Sequence, residues 1–103
     1  MRHWYLFLDD ERSTITIHKK NYIPVIIKDY NSMIKTLIDL WTDNDEVIID
    51  LDHDLGEEKT GYDICKWIVE NKYPIVAFHL HTMNPVGYSN MRQLLSHYGY
   101  KEI

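Results

Sequence analysis

"IIDLDHDLG", residues 48–56, runs from β-branched apolar residues into three aspartates and a histidine, and stops at Gly56. A short apolar run closed by turn residues reads as a strand buried on both faces. With Glu46 and Val47 in front, the pattern predicts a strand over 46–50 that extends through Leu51-Asp52, with its carboxyl end acidic. That reading decides the fold, because two other strand-like runs end the same way.

"WYLFL" (4–8) is closed by Asp9-Asp10, and "PIVAFHLH" (74–81) is followed by Thr82 and Asn84. "PVIIKD" (24–29) is a fourth strand, opened by a proline where a missing N–H does no harm. Between these runs the apolar period lengthens to that of a helix. Met33, Ile34, Leu37, Ile38 and Trp41 predict a helix over 30–41, capped by Asn31 or Ser32. Ile64, Cys65 and Ile68 predict one over 61–71 behind Thr60. Met91, Leu94, Leu95 and Tyr98 predict a last helix that Gly99 ends, after Asn84-Pro85 and Gly87 break the chain. Residues 12–22 fit neither period and are expected to form an irregular crossover. "YKEI" (100–103) is either a short fifth strand or a trailing end. Alternating strands and helices imply an α/β fold with a parallel sheet and helices on both faces, three layers in all.

The 103 residues suit one domain, 1–103, and 45% hydrophobic residues with three Trp and eight Tyr supply a core without a metal staple. The net charge of −5, with Lys and Arg scattered, excludes a duplex DNA binder. A single cysteine, Cys65, forms no internal disulfide, and its place in a periodic apolar segment marks it as packing. A reducing cytoplasm fits this usage, and the N-terminal apolar run is too short for a signal peptide or a membrane span.

In an open parallel sheet, ligands bind beyond the carboxyl ends of the strands. Asp9, Asp10, Asp52, His53, Asp54, His81, Thr82 and Asn84 all fall there. Several carboxylates brought together do not all stay ionised without a cation or protons between them. Oxygen-rich ligation by Asp9, Asp10, Asp52 and Asp54 points to Mg²⁺, with Mn²⁺ next and favoured where a histidine joins. Asp50 shares a side of its strand with Asp52, and is expected either to support it or to face a helix. His79 is expected one layer below His81, and His3, His18 and His97 at the surface or in packing.

"LFLDDER", "DLDHDLG", "TGYDICKWI" and "HTMNPVGYSNM" together resemble the cyclic-phosphate processing receiver-like domains, within the wider receiver superfamily. The resemblance spans Leu6 to about Met91. It implies a receiver-like sheet of four or five strands in order 2-1-3-4-5, here with a reduced first crossover. By position, Asp9 and Asp10 match the acidic pair that binds Mg²⁺, Asp52 the phosphoacceptor and Thr82 the hydroxyl residue of the fourth strand. The fifth-strand lysine of receivers has only Lys101 as a counterpart, whereas His53, Asp54, His81 and Asn84 are additions.

Histidines near neutral pKa suit proton transfer, so the site tilts from phosphate storage toward ester turnover. The expected activity is a metal-dependent phosphoesterase acting on a small cyclic phosphate, either an RNA terminal 2′,3′-cyclic phosphate or a cyclic nucleotide. His53 or His81 would move protons, and Asp52 would act as metal ligand or nucleophile. Arg12, Thr82, Asn84 and the amides near Gly87 would hold the phosphate. The expected partner is a small phosphorylated ligand or an RNA end, with no membrane. The alternatives are a signalling receiver phosphorylated on Asp52, or a module that binds a cyclic nucleotide without cleaving it.

Overall fold

The computed structural model describes residues 1–103. In chain order the elements are β1 (His3–Leu8), β2 (Ile23–Ile27), α1 (Tyr30–Thr42), β3 (Glu46–Leu51), α2 (Gly61–Glu70), β4 (Ala77–Leu80) and α3 (Pro85–His97). All strand pairs are parallel, in the order β2-β1-β3-β4. This is the receiver-like α/β arrangement with the first crossover reduced to coil. The fifth strand shrinks to one parallel bridge between Phe78 and Glu102.

Alternation along the strands separates the two faces of the sheet. Leu6, Leu8, Val47, Ile49, Leu51, Phe78 and Leu80 pack against Met33 and Leu37 of α1, Ile64, Cys65 and Ile68 of α2, and Met91 and Leu95 of α3. Tyr5, Phe7, Ile48 and Ala77 face the other way, where the apolar side chains packed on them are Ile15, Tyr22 and Ile103. The expected helices on both faces are therefore corrected: all three helices lie on one face, and coil covers the other. The physical reason is the crossover, where Ile15 and Ile17 are too few and wrongly spaced to make a helical stripe.

Other differences lie at element ends. Asp29, expected inside the second strand, caps α1 in place of Asn31 or Ser32, its Oδ1 accepting from the Ser32 N–H at 2.8 Å. Strand β4 starts at Ala77 rather than at Pro74, because Tyr73 and Ile75 are buried beside the helices before the ladder begins. Pro85 does not break the chain: at the first helical position its missing N–H has no partner to lose. Ile38, Trp41 and Tyr98, expected inward, are exposed at the rim. Burial pushes the Cys65 thiol up, and it is packing. No helix is long and apolar enough to cross a membrane.

Gly61 marks where α2 is pressed against the strand end. A Cβ there would lie 2.0 Å from the Asp52 carbonyl oxygen, and the Gly61 N–H donates to the His53 carbonyl at 2.8 Å.

Candidate functional site

The ladder places three functional side chains in a single row. Leu8, Leu51 and Leu80 are partners across β1, β3 and β4, and the next residue on each strand is Asp9, Asp52 or His81. Pairing continues into this row, since the Asp52 N–H donates to the Leu8 carbonyl at 3.0 Å and the His81 N–H to the Leu51 carbonyl at 3.1 Å. By the same alternation, all three side chains project on the helix-free face. One ligand atom from each of Asp9, Asp52 and His81 falls within 4.8 Å of the others.

Each group in the row is fixed. The Asp9 Oδ1 accepts from the N–H groups of Glu11 and Arg12, both at 2.9 Å, while Oδ2 faces His81 Nε2 at 3.1 Å. Burial alone would push the Asp9 carboxyl up, but the two amides and then His81 hold it below the usual range. Asp52 Oδ1 accepts from the His53 N–H at 2.8 Å.

His81 is the pivot. Its Nδ1 lies 2.6 Å from Asp50 Oδ1, and its ring stacks on Phe7 with centroids 4.3 Å apart. Asp50 has no exposed surface, and its other oxygen accepts from the Tyr5 hydroxyl. Burial works against a charged imidazole, but the hydrogen bond and charge of Asp50, with Asp9 behind them, raise the His81 pKa above its ordinary value. Without a cation, Asp50 and Asp9 on its two nitrogens both favour the charged ring.

That assignment predicts a pH dependence of stability in chelator, as a hypothesis. A raised His pKa contributes stability that is complete below the unfolded value of about 6.5 and lost as pH rises through the folded value. The lowered Asp9 pKa contributes stability present above the unfolded value of about 3.9 and lost as pH falls through the folded one. The urea midpoint in EDTA is therefore expected to decline as pH rises above about 6.5. A rising midpoint over that interval would contradict the imidazolium.

Around the row lies an open cavity of about 640 Å³. Arg12, Thr82, Asn84, Asp10 and Asp54 line it together with the row. The half-exposed Arg12 places Nε 3.7 Å from Asp9 Oδ2. Asp10 points to the side and stands outside the row, with its Oδ2 only 2.8 Å from where a Gly56 Cβ would be. Gly56 has a φ of 66°, so this close approach and the turn both favour a residue without a side chain.

Three expectations change here. His53 does not line the cavity: its Nδ1 pairs with Asp54 Oδ1 at 3.0 Å, and its ring packs so close to Gly87 that a Cβ there would sit 2.5 Å from it. The Gly87 amide does not face a ligand either, because it donates to Asn84 Oδ1 at 2.9 Å as the cap of α3. Asp54 is exposed and tied to His53 and Asn84 rather than to the row. The hydrogen bond from His53 holds its carboxyl below the usual range. Thr82 accepts from the Asn84 N–H at 3.1 Å. Lys101 does not take the place of the receiver lysine. Its carbonyl pairs with Phe78, three residues or roughly 10 Å along the strand from His81.

The sequence reading left the role of Asp50 open and missed Tyr5. For Asp50 a signal existed, since an acid at even spacing from Asp52 inside a buried strand needs a partner on that face. Nothing marked Tyr5 among the aromatic residues of β1.

Two carboxylates, in a cavity with acidic walls and one arginine, form an oxygen donor set that suits a hard divalent cation, with the His81 ring beside it. The family model described as "Cyclic-phosphate processing Receiver domain" matches residues 4–97. No curated protein and no solved structure matches the chain.

Proposed function

The chain belongs to the cyclic-phosphate processing receiver domains, and from that membership we propose that it is a metal-dependent phosphoesterase that opens a small cyclic phosphate. The observation that carries this reading is the row of Asp9, Asp52 and His81 on adjacent strand ends, with Asp50 buried behind the histidine. Asp9 and Asp52, with Asp10 at the side, would hold Mg²⁺ or Mn²⁺. Such a cation would supply Lewis-acid polarisation of a phosphoryl oxygen.

The chain's own residues do the rest. Arg12 pairs with a non-bridging oxygen and orients the ester. Asp50 keeps Nδ1 of His81 protonated, so the ring has one proton to give, from Nε2. Water forms a bond to phosphorus, one ring P–O bond breaks, and the leaving oxygen takes that proton, while the proton of the attacking water goes to solvent. The partner is a free small phosphate ester or an RNA end, in a reducing cytoplasm.

The test is hydrolysis of adenosine 2′,3′-cyclic monophosphate in Mg²⁺, Mn²⁺ or EDTA. Turnover is expected only with metal, and His81→Gln is expected to lower it by roughly 10²–10⁴-fold, the usual contribution of a positioned acid. No turnover with either metal would overturn the proposal.

A further inference from the structure

The helix-free face carries a second cavity of about 440 Å³, which shares Arg12 and His81 with the strand-end cavity. Phe7 forms its floor, and Thr14, Thr16 and His18 bring the crossover over it as an outer wall. The space exists because residues 12–22 cross this face as coil. A helix in that position would fill it.

Its lining has a definite chemistry. Residues 13–21 make no backbone-to-backbone hydrogen bond, the His18 backbone pairs with the Tyr5 hydroxyl, and Thr14 and Thr16 bring hydroxyl-bearing side chains to the lining. His18 is an exposed ring already stacked on His79, with centroids 3.9 Å apart. Arg12 is the only lysine or arginine in either lining and stands where the two cavities meet, while Asp50 brings a carboxylate to the second. The second cavity therefore suits no further phosphate. It suits a neutral, planar group rich in donors and acceptors, and its volume falls within the roughly 300–1,000 Å³ of small-molecule sites.

We propose that this cavity is a nucleoside subsite: a ligand whose phosphate sits at the Asp9–Asp52–His81 row lays one nucleoside over the helix-free face, against Thr14, Thr16 and His18. It rests on the phosphoesterase reading only for where the phosphate sits. The crossover, rather than the strand ends, then sets which cyclic phosphate is chosen.

The test compares affinities, not rates. Calorimetry in Mg²⁺ with adenosine 3′-monophosphate and with glycerol 2-phosphate presents the same kind of phosphate with and without a nucleoside. The wild type is expected to bind the nucleotide at least tenfold more tightly. Thr16→Trp and, independently, Thr14→Trp would fill the space and bring the ratio close to one. Both positions are exposed, and thermal unfolding checks that the fold survives. Equal affinities in the wild type, or a tenfold ratio that persists in both variants, would overturn the subsite. A failure to hydrolyse cyclic phosphates would remove the phosphoesterase reading and leave this comparison intact.

Discussion

Saturating Mg²⁺ or Mn²⁺ is expected to raise the unfolding midpoint of the wild-type chain strongly and to leave that of Asp52→Ala unmoved. A cation at one hundred times its dissociation constant adds about 2.7 kcal/mol to the folded state. In a domain of this size that corresponds to roughly 10–20 °C. The size follows from the crowding of the row: Asp9 and Asp52 bring one ligand atom each within 4.8 Å of the other and of His81. A cation relieves their repulsion, and losing either one removes one of the row's two carboxylates. Thermal unfolding in EDTA and in each metal decides the matter. No shift in the wild type, or an equal shift in the variant, would remove the cation from Asp52.

Asp50→Ala is expected to be the most damaging single substitution in the site, although Asp50 lies behind the row rather than in it. It removes the acceptor of both the Tyr5 hydroxyl and His81 Nδ1 where water does not reach. Breaking one side of a buried charged pair costs about 3–5 kcal/mol, or a drop in midpoint of at least about 12 °C. Asp50→Asn keeps the shape but not the charge, so the fold should survive while the His81 pKa falls, which a histidine NMR titration would read. A loss below about 1 kcal/mol in the alanine variant would mean that the Tyr5–Asp50–His81 chain is not a structural unit.

Much of this architecture was legible because apolar runs closed by acids are hard to read as anything but strand ends. Asp9, Asp52 and His81 could be placed at a common edge from that pattern alone. What periodicity does not hold is which face of the sheet each helix covers. The helix-free face depends on where the coil of residues 12–22 goes, and that is a matter of tertiary packing. Side-chain direction beyond a strand end was equally hidden. His53 follows Asp52 directly, yet alternation turns it toward α3 and Gly87, while Asp52 turns toward the cavity. The surroundings of Asn84 also had to be seen in place, because its Oδ1 caps α3 while the Nδ2 that would hold a phosphate oxygen already faces Asp54 and His53.

The continuation of the ladder into the row of Asp9, Asp52 and His81 has a consequence for which parts of the site can open independently. Asp50 lies inside β3, which is paired on both sides, so freeing it means unpairing a central strand at a cost near that of global unfolding, and His81, just beyond the edge strand β4, is held through its bond to Asp50. Arg12 and the coil after it have no ladder to hold them, and they belong to the least protected end of the chain's range of local openings. The histidine and its acid are therefore held more firmly than the arginine that stands beside them.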